Sequence, residues 1–398
     1  MALSKIDVAN MLTGVTPVAN GGTAATTLAG AGLAKRPNAK PIIINGDMAI
    51  AQRGTSATGK TSSGYYTCDR IQLAMNDAGT HTIIQETSTS GNAYLNGFAE
   101  AYRVDCTTAD ASVAADSQLF IKYKVEGRDA QVFKKGTSNA EKFTLAFWVK
   151  SNKTGTGQVN LRDEVNTRQC SATYTISSAD TWEHKICNFA ADTTGALPST
   201  NAEGFGIEWY LAAGSDFTSG TAPTAWEAIS NGDSAASLNL AISGSTSNDF
   251  SLTGVQLEVG EYTSSTLPPF QFESFADSLA RCQRYFNILM NSGTERQDCL
   301  DAHVHDNDTM RGAIHFPVEM RSAPSVTSSS SGSADHWRYI STGLNTNYGS
   351  AITMNASTKS AQFSLADTGG SDVSGNAKEP GSIFNNTTSC FLKIDAEL

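Results

Sequence analysis

Between Ile42 and about Gly260, apolar and polar side chains alternate with a period of two, broken by turn residues. That period places successive side chains on opposite faces of a strand and marks an all-β sandwich. Phe143-Thr-Leu-Ala-Phe-Trp-Val-Lys is the clearest strand. Phe143, Leu145, Phe147 and Val149 share one face, and Thr144, Ala146, Trp148 and Lys150 share the other. Phe205, Ile207, Trp209 and Leu211 repeat the pattern, with Glu208 and Tyr210 opposite. From Phe250 to Val259 the apolar phase slips between Leu252 and Val255, and a bulge at Gly254 restores the inward face. Further strands are expected near 70–75, 81–87, 100–106, 118–126, 169–176, 181–189 and 237–243. Together they predict one large jelly-roll β-sandwich over 41–267.

The flanking regions read differently. Residues 1–40 are rich in Gly, Ala and Thr and nearly free of aromatics, so they cannot order by burial alone; they suit a tail or an extended assembly segment. Pro268 and Pro269 end the sandwich. Ser274 with Asp277 resembles a capping box, and Phe275, Leu279, Cys282, Phe286 and Leu289 recur at helical spacing. A connector helix is therefore expected within 268–290, fit for docking on the sandwich or for a short coiled-coil seam. Residues 291–398 return to β character and predict a smaller C-terminal β domain.

Charge and composition narrow the chemistry. Acidic residues outnumber basic ones, 39 to 28, for a net charge of −11, the wrong sign for holding nucleic acid by its phosphates. No stretch has the roughly 18 consecutive apolar residues of a membrane span, and Met1–Thr16 lacks the basic and apolar regions of a signal peptide. The seven cysteines, with no CxxC spacing, suit buried thiols in a reducing cytoplasm; a Cys170–Cys187 bridge is the alternative.

Several motifs invite a catalytic or cofactor reading. Gly54-Thr-Ser-Ala-Thr-Gly-Lys-Thr61 matches the phosphate-loop pattern, yet Ser62-Ser-Gly-Tyr-Tyr that follows has no helical stripe to aim backbone N–H groups at phosphates. A mobile loop is the better reading, and no cofactor is expected. His303 and His305 share one strand face, followed by Asp306 and Asp308; such a pair from each chain around a threefold axis could hold a transition metal. The plainer reading is a solvated polar hairpin. No nucleophile–base–acid order stands out, and the chain is read as a non-enzyme. Sugars present flat C–H faces rimmed by hydroxyls, so a glycan site needs an aromatic platform beside polar groups. Trp148 with Lys150, and Tyr210 with Glu208, supply both on strands that could be neighbours, unless that second face is covered.

Asn20-Gly-Gly-Thr-Ala-Ala-Thr-Thr, Ile44-Asn-Gly-Asp-Met-Ala-Ile-Ala-Gln-Arg-Gly-Thr-Ser, Cys68-Asp-Arg-Ile-Gln and Val125-Glu-Gly-Arg-Asp form one set of stretches. Leu252-Thr-Gly-Val-Gln-Leu-Glu-Val-Gly, Leu279-Ala-Arg-Cys-Gln-Arg-Tyr-Phe and Phe316-Pro-Val-Glu-Met-Arg-Ser-Ala-Pro complete it. Together they resemble bacteriophage tail-fibre or host-attachment proteins of marine type, with a jelly roll similar to carbohydrate-binding modules. The likeness covers most of residues 17–325. It implies a virion tail protein, made and assembled in the host cytoplasm and organised as a homotrimer. Its implied partners are other tail proteins, through the N-terminal segment, and bacterial surface polysaccharide, with neither nucleic acid nor membrane insertion. Receptor binding through surface glycans is the leading function. A purely structural tail component is the first alternative, and a carbohydrate-active enzyme or its binding module the second.

Overall fold

The computed structural model describes residues 40–291, 298–306, 309–330, 336–366 and 379–398. The N-terminal segment, apart from Lys40, and Asp308 lie outside the described residues. The sandwich strands are β1 (Ser56–Lys60), β2 (Gly64–Tyr65), β3 (Ile71–Asn76), β4 (Thr80–Thr87), β5 (Glu100–Thr108), β6 (Gln118–Glu126) and β7 (Phe143–Ser151). They continue with β8 (Gly155–Asp163), β9 (Arg168–Ile176), β10 (Glu183–Phe189), β11 (Glu203–Ala213), β12 (Glu227–Ala228) and β13 (Asp249–Val259). One sheet runs β1-β4-β5-β13-β7-β10 and the other β12-β9-β8-β11-β6-β3-β2. Every pairing is antiparallel, and the two sheets make the jelly-roll sandwich.

The alternation read from sequence is the packing between the sheets. Phe143, Leu145, Phe147 and Val149 of β7 and Phe205, Ile207, Trp209 and Leu211 of β11 are all fully buried in one core. Phe147 meets Trp209 edge-on at 5.8 Å and Tyr174 at 5.1 Å, the quadrupole-favoured geometry. In β13 the register shifts by one residue between Thr253 and Gln256, opposite Trp148 and Ala146 of β7, with Gly254 at φ +58°. The bulge leaves the N–H of Val255 off the ladder, and Gly46 O accepts it at 2.8 Å.

Two expected elements fail locally. Residues 237–243 form no strand: Leu240 and Ile242 fill the core from a loop that ends in the 3-10 turn Ile242–Gly244. The connector helix stops at Gln283, and Phe286–Met290 is strand β14. Its stripe is therefore no seam; Cys282 packs with Ile44, Ile50 and Tyr285 on the sandwich, with Leu279 alongside. The Ser274 hydroxyl does accept from Asp277 N at 3.2 Å, as the cap requires. No disulfide forms: all seven cysteines are free, six buried and Cys299 exposed.

The C-terminal unit adds β15 (Cys299–Val304), β16 (Thr309–His315), β17 (Ser325–Ser328), β18 (Trp337–Ser341) and β19 (Asn345–Tyr348). It ends with β20 (Thr353–Ala356), β21 (Ser360–Ala366), β22 (Pro380–Asn385) and β23 (Leu392–Asp395). These build a seven-stranded sheet, β19-β18-β22-β15-β16-β21-β20, and a three-stranded one, β14-β23-β17. Residues 395–398 fasten this unit to the sandwich. Arg70, buried, pairs with Glu397 and lies 3.5 Å from the Tyr285 ring centroid. Arg53 pairs with Asp395 at 3.1 Å and sits 3.6 Å over Phe286, and Lys124 donates to Leu398 O at 2.6 Å.

Candidate functional site

The outer face of the six-stranded sheet carries Trp148 and Lys150, two of the four candidate glycan residues. Antiparallel register sets Trp148 of β7 directly across from His184 of β10, and their rings stack at 5.0 Å and 28°. Trp148 is half-buried and His184 exposed, so the pair presents ring surface to solvent. Beside it stand Phe98, Phe270 and Phe272, with centroids 4.8–5.1 Å apart. These rings, with Asn96, Gln256 and Ser264, line a groove of about 340 Å³. Gly254 forms its floor: a Cβ there would come within 2.8 Å of Trp148 Cδ1 and 2.9 Å of Phe98 Cζ. The bulge that restores the core thus also clears space for the rings.

A second groove, about 430 Å³, adjoins it across the short helix Gly91–Leu95. Lys150, two residues along β7 from Trp148, lies 2.7 Å from Glu86 and 5.1 Å over the Trp182 ring. Ser251 Oγ donates to the other Glu86 oxygen at 2.8 Å. Residues 87–92, Asp180 and Thr181 complete the lining. The two grooves together offer ring faces flanked by hydroxyl, amide and charged groups.

The other two predicted residues are elsewhere. Glu208 and Tyr210 lie on β11, in the opposite sheet, so β7 and β11 are not neighbours and the four residues do not converge. Tyr210 stacks on Phe120 at 4.7 Å beneath Phe217, Ala235 and Leu238, and Glu208 pairs with Lys122 at 3.1 Å. Both are buried. Burial pushes the Glu208 carboxyl up, against the pull of Lys122 and Arg162. This face is covered by residues 214–238, which answers the question left open by alternation alone. Trp182, His184, Glu86 and Asn96 were missed. His184 and Glu86 sit in segments already expected to be strands, so the outward phase of each could have flagged them.

His303 and His305 do lie close, with ring centroids 6.1 Å apart. Arg311, paired with His303 across β16, donates to His305 Nε2 at 2.9 Å. The guanidinium thus occupies the lone pair a metal needs and adds a positive charge beside it. Among the described residues, no group of three or more His, Cys, Asp or Glu gathers for a metal. Ser56–Lys60 of the phosphate-loop match is a strand paired to β4, with Lys60 Nζ 4.8 Å over the Tyr66 ring and no helix following. The mobile-loop expectation fails there: Ser56, Ala57 and Lys60 pair with Ile84, Ile83 and His81, and no helix N-terminus follows to aim N–H groups at a phosphate. No helix among the described residues is long and apolar enough to cross a membrane.

No family model and no curated protein matches the chain. Among solved structures it is similar to the enzymatically active domain of bacteriophage CBA120 tailspike protein 4, at 10% identity over 55% of this chain and TM-score 0.26. That match spans only 21% of the tailspike chain. It is similar to a CBM4 carbohydrate-binding module at 7% identity over 54% of this chain and 97% of that one, TM-score 0.27. A family 11 carbohydrate-binding module from a Clostridium thermocellum cellulase matches at 9% identity over 57% and 99%, TM-score 0.26. At such scores these likenesses carry no argument.

Proposed function

We propose that the chain is a bacteriophage tail-fibre or receptor-binding component that attaches the particle to bacterial surface glycans through the outer face of its six-stranded sheet. One observation carries the glycan part: the Trp148–His184 stack opens into a groove edged by Asn96 and Gln256 and continued by the cleft of Lys150, Glu86 and Asp180. Ring faces receive sugar C–H groups, and the flanking polar groups take hydroxyls. The virion part is supported by the sequence stretches that resemble tail fibres, which also carry the expectation of a homotrimer. The protein acts by binding rather than catalysis; release of reducing sugar from host polysaccharide by the purified protein counts against this. Affinity electrophoresis through gels containing host polysaccharide tests the reading. Retardation of the parent and free migration of Trp148→Ala support it, and equal mobility of the two with and without polysaccharide overturns it.

A purely structural, docking role is the second reading. It draws on apolar side chains left open to solvent: Leu95 at 79%, Phe275 at 65% and Phe272 at 51%.

A further inference from the structure

A cleft of about 680 Å³, in the range of ligand pockets, opens where the sandwich, the segment Lys40–Ile44 and the connector helix meet. Its lining holds four cations, Lys40, Arg128, Arg281 and Arg284, against two acids, Glu126 and Asp129. In a chain whose acids outnumber its bases 39 to 28, this is a local inversion of charge.

Two of the arginines are already fixed. Arg284 grips both Glu126 oxygens at 3.1 Å, and Arg281 pairs with Glu273 at 2.6 Å while donating to Pro41 O at 2.8 Å. Arg128 is different: it is exposed, and none of the ion pairs among the described residues involves it. Its backbone is nonetheless anchored. Arg128 N donates to Thr200 O at 3.0 Å, and Gly127 N to Ala202 O at 2.9 Å. Any Cβ at Gly127 would meet Pro198 O at 2.2 Å, so the turn that presents Arg128 requires glycine. Burial pushes the Asp129 carboxyl up, with Glu126 adding to the effect.

The remaining lining, Tyr285 apart, is aliphatic: Pro41, Ile42, Ile44 and Val132. The cleft's one aromatic, Tyr285, is buried, so no ring platform is offered to a sugar. A free guanidinium fork beside aliphatic surface suits instead a peptide carrying carboxylates among apolar residues.

We propose that this cleft is a protein-docking site that receives an acidic peptide segment of a partner, with Arg128 as its recognition residue. The proposal goes beyond the glycan reading and stands or falls separately from it, because the two sites share no residue.

The test is fluorescence anisotropy with a fluorescein-labelled hexamer of glutamate, on the full chain at low and at physiological salt. Saturable binding that weakens with salt is expected, lowered about tenfold or more in Arg128→Glu and partly retained in Arg128→Lys. Lys142→Glu makes the same charge change at an exposed site elsewhere and should bind like the parent. Absence of binding by the parent overturns the proposal. So does equal loss in Lys142→Glu, or binding of a hexuronate oligosaccharide in place of the peptide. Arg128 is exposed, so melting curves should stay unchanged and separate lost recognition from lost fold.

Discussion

Replacing Gly254 by Ala strikes the fold and the groove at one atom. Gly254 holds φ +58°, the left-handed region, which costs a residue with a Cβ roughly 1–2 kcal/mol. The added methyl would also lie 2.8 Å from Trp148 Cδ1 and 2.9 Å from Phe98 Cζ, distances that force the rings to move. Overpacking of this kind costs about 1–3 kcal/mol. The two together come to about 2–5 kcal/mol, a large part of a domain's stability. Urea unfolding followed by circular dichroism measures it as a fall in midpoint at unchanged slope. Asn tolerates left-handed backbone better than Ala, so Gly254→Asn should recover part of the backbone cost and leave the steric one. Because Trp148 must shift, both variants should also bind glycan more weakly. A Gly254→Ala protein within about 0.5 kcal/mol of the parent would refute the bulge geometry, since unstrained surface changes stay in that range.

Further expectations concern buried charge and thiols. Lys135, buried, lies 2.6 Å from Asp163 and 3.0 Å from Asp192; Lys135→Met leaves buried Asp163 without its cation, while Asp192 keeps Arg168, and should cost about 3–5 kcal/mol in the same urea assay. Burial pushes the Asp69 carboxyl up to about 7, although Arg53 and Gln52 oppose it, against an ordinary 3.8. A raised folded value means the native state holds the proton longer, so this group's contribution to stability falls as pH rises from about 4 to 7. Asp69→Asn should flatten that slope in melting temperature against pH, and an unchanged slope would count against it. Cys299 is the one exposed thiol and should alone react quickly with a thiol reagent in the native chain; two or more fast thiols would contradict the burial of the rest.

What was legible in the chain follows from where each signal resides. Alternation is local, so the inward faces of β7 and β11, and the bulge at Gly254, could be read directly. Strand β8 was missed because its outward residues Gln158 and Asn160 look like loop chemistry. They are buried beneath residues 231–239, where each donates to Ser234 O, at 2.9 Å and 2.8 Å. The helical stripe misled past Gln283 because Phe286 and Leu289 continue its spacing, although both lie in strand β14. Pairing with β23, about a hundred residues away, decides for the strand. Site geometry failed for a similar reason: alternation shows which residues turn outward but not which sheet holds them. Trp148 and Tyr210 consequently belong to opposite faces, while His184, the true neighbour of Trp148, was set by cross-strand register.

The proposed function requires that glycan be held on the Trp148–His184 face. Isothermal titration of soluble host-derived oligosaccharide into the parent, Trp148→Ala, His184→Ala and Tyr210→Phe tests it most directly. The parent and Tyr210→Phe should bind alike, since Tyr210 is buried on the opposite sheet and the Phe ring keeps its stack on Phe120. Trp148→Ala should lose about tenfold or more, as removal of a sugar-facing ring implies, and His184→Ala a smaller part. Full affinity in folded Trp148→Ala and His184→Ala proteins would contradict the assignment of this face.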